Sequence, residues 1–434
     1  MPFPRLFARA FLLLFVLVFG AGRTRAATTH FDHRRAAVAA YQARDFAAMA
    51  GACESALVLR PDSPRYLLML ATARTLMGEP AAALDALGRL ADLGISLPVE
   101  SVADLAPLRD RPEFAAICAR LAAIRAPRGS VAVMHELPAT AGILEGLAWR
   151  PATGDIFLGD VHARCVWRLA TDGTLTRFAA LPELLGVFGL AVDEPRGVLW
   201  LGVAAVPEMQ GHREADKGRA ALAEVDLATG NLRRLYPTPM DGRDHVLGDL
   251  TLAPDGSIYL TDSAAPVIWR LPRGADALEV ACESPAFASL QGLGFMAGGT
   301  ALVVADYANG LHRVDLATRS VHSLPPPPGA TLLGIDGFMA RENAIFAVQN
   351  GISPQRIVRI ELTADATAIA SFQVLAAGQP GMEDLTLPAW IDGRVAFIAG
   401  AGWEAFAGAK SPPPPRAARI LSLDPEPATA IARQ

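Results

Sequence analysis

A chain of 434 residues, 52% hydrophobic and 19% charged, can bury a large core and is too long for one small domain, so two domains are expected. Its net charge is −5, with 39 basic and 44 acidic residues. An acid-leaning surface argues against nucleic acid or an anionic membrane as the partner.

Residues 1–26 read as a secretory signal. Arg5 and Arg9 form a basic start, AFLLLFVLVFGAG is the apolar run, and TRA ends it at the small residue Ala26. The run is too short to span a bilayer, which needs about 20 residues. Cleavage and export are therefore expected, to a periplasm or to the outside, with no later span. Removing the signal leaves 35 basic against 44 acidic residues, a net charge of −9. Export permits disulfides, but four cysteines without a CxxC pair make neither a disulfide framework nor a zinc knuckle. Cys53, Cys118, Cys165 and Cys282 read as buried small hydrophobes, with one bridged pair left open.

Residues 27–127 carry a helical pattern. HRRAAVAAYQA and FAAMAGACESALVL form one predicted pair, RYLLMLATARTLM and PAAALDALGRLADL a second. The breaks inside the pairs, RDF at 44 and GEP at 78, stand 34 residues apart, and RPDSP between the pairs is a helix stop followed by an N-cap. That period resembles tetratricopeptide repeats. With two copies visible, a brace on the larger domain is the favoured reading over a peptide-binding groove, though a protein partner for the helices stays open.

From residue 128 to 425 the alphabet changes to β-branched and aromatic strands punctuated by glycine. One module recurs six times. Its second strand is the clearest column: DIFLGD, GVLWLG, SIYLTD, ALVVAD, AIFAVQ and RVAFIA, each after a tight-turn signal. First strands start at 145, 188, 248, 291, 336 and 383, and the one long step is explained by the polar insertion PEMQGHREADKGRAA. The pattern predicts an all-β six-bladed β-propeller behind a small all-α helical-repeat domain. The sixth copy lacks a fourth strand, and SVAVMHEL at 130–137 is predicted to supply it and close the ring. Residues 426–434 read as a tail.

Aligning the modules sets Glu145 opposite Phe188, Gly248, Gln291, Asp336 and Glu383. The next column holds Gly146, Gly189, Asp249, Gly292, Gly337 and Asp384. Five carboxylates and one amide thus point to one mouth of the central channel. Like charges this close repel in a partly dry site, so a cation is expected among Glu145, Asp249, Gln291, Asp336, Glu383 and Asp384. Hard oxygen donors suit Ca²⁺ first, with Mg²⁺, Zn²⁺ or Mn²⁺ as alternatives. The competing reading has these acids capping backbone N–H groups. Asp160, Asp262 and Asp306 end second strands and read as turn formers. No GxSxG, HExxH or phosphate loop occurs. His162 and His245, in loops predicted at the acidic mouth, are the candidate general bases.

The stretch from about 130 to 425 resembles the gluconolactonase, regucalcin (senescence marker protein) and luciferin-regenerating-enzyme propeller family. LEGLAW matches its opening element and sets Glu145 on the metal-binding glutamate. LGDLTLAPDGSIYLTDS matches the third-blade strand start, with Gly248 where a metal-binding asparagine stands. LQGLGF has Gln291 in place of an asparagine. GIDGFM sets Asp336 on the metal-binding and catalytic aspartate, and MEDLTL is similar to a paired Glu-Asp calcium site through Glu383 and Asp384. The resemblance implies metal-dependent hydrolysis of a lactone or related ester, with Asp336 or a histidine taking the proton. The alternative is a non-catalytic periplasmic ligand-binding or scaffolding propeller, which the changes at Gly248 and Gln291 favour.

Overall fold

The computed structural model describes residues 29–140, 142–179, 185–296, 298–299, 301–407 and 413–426. The expected signal, and all but the first residue of the expected tail, lie outside them. The chain divides into two compact units. One holds the chain up to Ala126 with Pro326–Leu332 and Ile352–Pro354, and the other holds the remainder. None of the described helices is long and apolar enough to cross a membrane.

The first unit contains α1 (His30–Gln42), α2 (Phe46–Leu59), α3 (Pro64–Leu76), α4 (Pro80–Asp92) and α5 (Pro112–Ile124). The starts of α1 and α3, and of α2 and α4, repeat the period read in the sequence. Each of the first three has the cap its sequence supplies. Thr29 and Asp32 close a capping box on α1, the Asp45 side chain accepts from the Ala48 N–H at 2.9 Å, and Ser63 caps α3 ahead of Pro64. Met49, Cys53, Leu67, Leu87, Leu90 and Leu121 are fully buried between the helices. The two later segments are tied in by polar contacts: the Asp62 carboxylate accepts from the Thr331 hydroxyl at 3.2 Å, and the Ser96 N–H donates to the Ser353 carbonyl at 2.6 Å.

In the second unit, the described strands form six four-stranded antiparallel sheets, the blades of a propeller. The inner strands are Leu144–Arg150, Gly186–Asp193, Leu247–Leu252, Leu290–Phe295, Ile335–Arg341 and Pro388–Ile391, and each lies beside the next around a ring. The strand Ala132–Glu136 completes the sixth blade as its outer member, pairing with Arg419–Leu423 through Val133 and Leu421. The ring therefore closes with the segment read from SVAVMHEL.

Second strands such as Asp155–Asp160, Val198–Ala204 and Ala301–Asp306 are buried along their whole length. Neighbouring blades cover both faces of each sheet there, which is why these strands read as continuous apolar runs. Glycines let the inner strands approach closely: a Cβ on Gly146 would lie 2.1 Å from the Phe188 carbonyl oxygen, and one on Gly292 would lie 2.5 Å from the Phe338 nitrogen. The blade-two insertion joins its second strand to its third (Ala220–Asp226), and there Asp216 takes two bonds from Arg213 and one from Arg219. All four cysteines are unbridged, and Cys53, Cys165 and Cys282 are buried, as small hydrophobes would be.

Candidate functional site: a carboxylate cluster at the channel mouth

In five blades the pairing of inner with second strand slips at one place. It slips between Leu144 and Leu147, Val187 and Leu190, Leu247 and Leu250, Leu290 and Leu293, and Ile335 and Phe338. The aligned pairs from Glu145–Gly146 to Asp336–Gly337 are the residues inside these bulges. A bulge leaves residues unpaired and re-aims their side chains, so the two columns are a backbone feature repeated around the ring.

Blade six departs from the alignment. Pro388 pairs with Phe397 as Leu147 pairs with Leu158, which gives Thr386 and Leu387 the bulge positions there. The expected strand start at Glu383 is therefore corrected. That residue lies earlier, in chain that turns through Gly381 and Asp384 at positive φ, and its side chain is exposed. Pro388 has no N–H for the ladder and marks the true start. Asp384 is buried, and its carboxylate accepts from the Gly402 N–H at 2.6 Å.

Three acids, Glu145, Asp249 and Asp336, lie close enough to feel one another's charge. Burial pushes the Glu145 carboxyl well above the usual range, and the charges of Asp336, Asp384 and Asp249 push it further. The Trp403 indole N–H, bonded to it, pulls the other way. Burial likewise raises Asp249 to about 7, with the Leu250 N–H opposing and Asp336 adding to the rise. Asp336 is raised to about 6 by burial, against the pull of the Asn350 amide at 2.7 Å. Asp249 and Asp336 lie deep yet keep partial exposure. Among the described residues, none of the groups acting most strongly on these three is basic. Carboxylates so placed must stay partly protonated or share a cation.

The other sequence candidates sort by contact. Gln291 is half-buried, with its amide nitrogen 3.4 Å from the Ser289 hydroxyl. Its carbonyl oxygen lies 3.8 Å from where a Cβ on Gly248 would stand, so the longer amide reaches toward the space the glycine leaves. His245 is not brought to the cluster. Its ring is fully buried, with Nδ1 2.6 Å from Asp262 and Nε2 3.1 Å from Asp241. Burial alone would lower its pKa, but these carboxylates outweigh burial and raise it. The His162 Nδ1 lies 2.5 Å from the Glu208 carbonyl, in the blade-two insertion. Asp160, Asp262 and Asp306 accept from N–H groups of the turns just after them, which is the turn-forming role read for them.

Sequence reasoning missed Tyr307, Asn350 and Trp403. Tyr307 and Asn350 immediately follow the second strands ALVVAD and AIFAVQ, at the strand ends that face the bulges. That column was legible, though only its terminal aspartates were read. Trp403 opens a one-turn helix, Trp403–Phe406, which leaves no periodic signal.

A hard cation fits the donor type and the uncompensated charge here. Among the described residues, however, no three His, Cys, Asp or Glu side chains already stand grouped to hold an ion.

No family model matches the sequence, and no curated protein matches it. Similar solved structures include a gluconolactonase from Xanthomonas campestris, 17% identical, covering 69% of this chain and 89% of that one at a TM-score of 0.46. A PQQ-bound aldose sugar dehydrogenase from Streptomyces coelicolor is 15% identical, covering 68% and 99% at 0.47. A virginiamycin B lyase from Staphylococcus aureus is 14% identical, covering 68% and 100% at 0.44.

Proposed function

We propose that the chain is an exported hydrolase that opens lactones or related esters at the acidic channel mouth with a divalent cation, Ca²⁺ foremost. The observation that carries this reading is the mutual repulsion of Glu145, Asp249 and Asp336, deep in the protein and without a basic partner among their main influences. These three would hold the ion, with Gln291 and Asp384 as further oxygen donors. When bound, the cation supplies carbonyl polarisation and a lower pKa for water.

The chain's own residues supply the rest. Asp336 Oδ2 accepts from the Asn350 amide and, on its other lone pair, takes a proton from the attacking water, which leaves Oδ1 for the ion. The water oxygen bonds to the acyl carbon, the ring C–O bond breaks, and the leaving oxygen takes that proton back. One water is consumed and a hydroxy acid results. His245 has no part, because both of its ring nitrogens already face carboxylates.

The test is a titration of Ca²⁺, Mg²⁺, Mn²⁺ and Zn²⁺ into chelator-treated protein, followed by a lactone panel. Native-state binding adds about 2.7 kcal/mol at a hundredfold excess over Kd, a shift of a few degrees in Tm. Glu145→Gln should shrink the shift, Asp336→Asn should remove it, and both should abolish turnover. If no ion moves the melt and both substitutions destabilise the chelated protein, the acids are structural caps. The non-catalytic binding reading then replaces this one.

A further inference from the structure

Asn350 has every polar group of its side chain engaged. Its amide nitrogen donates to Asp336 Oδ2 at 2.7 Å and to the Leu385 carbonyl at 2.8 Å, and its carbonyl oxygen accepts from the Tyr307 hydroxyl at 3.1 Å. The orientation is determined by chemistry. A flipped amide would set an oxygen against two acceptors and strand the hydroxyl. The three partners come from three places: Tyr307 follows a blade-four strand, Asp336 sits in the blade-five bulge, and Leu385 precedes the blade-six inner strand. The Leu385 N–H is itself held by the Gln355 side chain at 2.9 Å.

The seat of Tyr307 is equally constrained. A Cβ on Gly351 would lie 2.6 Å from the Tyr307 hydroxyl oxygen and 2.6 Å from the Gly334 Cα. Two glycines therefore leave the notch in which the phenol ends. The backbone fixes the same loop: Gly334 N–H donates to the Tyr307 carbonyl at 2.8 Å, and Gly351 N–H to the Gly334 carbonyl at 3.1 Å.

We infer that Asn350, locked by Tyr307 and the Leu385 carbonyl, is a positioning residue that fixes the Asp336 carboxylate for cation binding. The inference rests on the proposed cation site and names the device that sets its geometry. With Oδ2 held by the amide, Asp336 cannot turn that oxygen away without breaking the bond, and Oδ1 is left for the ligand. Partners of this kind orient the groups that bind metals, and losing one typically weakens the site about 10–100-fold.

The test is calorimetric titration of Ca²⁺ into the chelator-treated full chain, with a parallel melt without ion. The variants are Asp336→Asn, Asn350→Leu and Tyr307→Phe. Asp336→Asn should abolish measurable binding. Asn350→Leu should weaken Kd by about 10–100-fold. Tyr307→Phe, which removes the tie on the amide oxygen and leaves both N–H bonds in place, should weaken it less, by about 3–10-fold as a partial loss of the same partner. The ion-free melt of Tyr307→Phe should stay within a few degrees of the unsubstituted protein, which separates positioning from general stability. If Asn350→Leu fails to fold, Tyr307→Phe decides. Unchanged affinity in Tyr307→Phe and in any folded Asn350→Leu overturns the inference while the cation site stands. No binding by the unsubstituted protein overturns both.

Discussion

The indole N–H of Trp403 is bonded to the carboxylate of Glu145, which lies 258 positions earlier in the chain. It is the one donor among the main influences on an otherwise buried and repelled acid. Trp403 also stands 6.3 Å from the Phe188 ring, so its loss has a packing part and a polar part. A double-mutant cycle separates them. Trp403→Phe should destabilise by about 1–3 kcal/mol in denaturant unfolding, the range for a hydrogen bond to a charged or buried group. In a Glu145→Leu background the same change should be smaller by about 1 kcal/mol. Equal effects in both backgrounds would assign Trp403 to packing alone.

His245 allows a pH test far simpler than the acid cluster, because its partners are two identified carboxylates. Its folded pKa is raised, so the folded state holds the proton more tightly than the unfolded chain does. The resulting stability is fully present below the unfolded value of about 6.5. It is lost as pH rises through the folded value. Replacing His245 with Gln should therefore destabilise more at acidic pH than at alkaline pH in urea unfolding. A pH-independent effect would mean that the ring contributes by hydrogen bonding and packing, not by charge.

The propeller was legible because each second strand is an unbroken apolar run behind a turn signal, and a repeat read six times corrects its own errors. GVLWLG and ALVVAD need no tertiary information to be called buried strands. Blade six shows where that reading fails. MEDLTL offers two acids at a plausible strand start, but the register follows from pairing Pro388 with Phe397, and pairing is not a local property. His245 failed for a related reason. A loop histidine beside a strand start gives no sign that the aspartate ending the next strand, Asp262, will take its Nδ1. Asn350 and Tyr307 were visible as residues and invisible as partners, since their bond crosses from one blade to the next.

Asp249 carries the clearest electrostatic consequence in ion-free protein. Its folded value of about 7 lies above the ordinary value of 3.8, so the folded state holds a proton that the unfolded chain releases between them. Stability then falls as pH rises through that window, and the loss persists above it. In chelated protein, Asp249→Asn should raise stability at alkaline pH by about 1–4 kcal/mol, since each tenfold gain in proton affinity is worth about 1.4 kcal/mol. At pH about 3 it should be close to neutral, because the carboxyl is then largely protonated in both the folded and the unfolded state. At the proposed cation site, saturating Ca²⁺ should reverse the sign, since the substitution then removes a proposed ligand. Melting curves at the two pH values, with and without ion, check all three statements.

Gly248 stands where the resembling family carries an asparagine, which invites restoring it. The backbone allows a side chain, because Gly248 is not among the glycines at positive φ. The space is the difficulty: a Cβ there would lie 2.9 Å from the Ser263 hydroxyl oxygen, which donates to the Leu290 carbonyl at 2.9 Å. Gly248→Asn must turn that hydroxyl away, giving up a hydrogen bond worth about 1 kcal/mol. It also brings a new amide toward Gln291, whose oxygen already reaches into the same space. We expect Gly248→Asn alone to lower stability by about 1–2 kcal/mol, the lower part of the range for overpacking. Adding Ser263→Ala and Gln291→Asn should recover most of that loss, because both crowding groups then retreat. The decisive readout is Ca²⁺ affinity of the triple variant. An increase over the unsubstituted protein would mean that, at the proposed cation site, Gln291 stands in for an asparagine oxygen only in part, and an unchanged value that it does so in full.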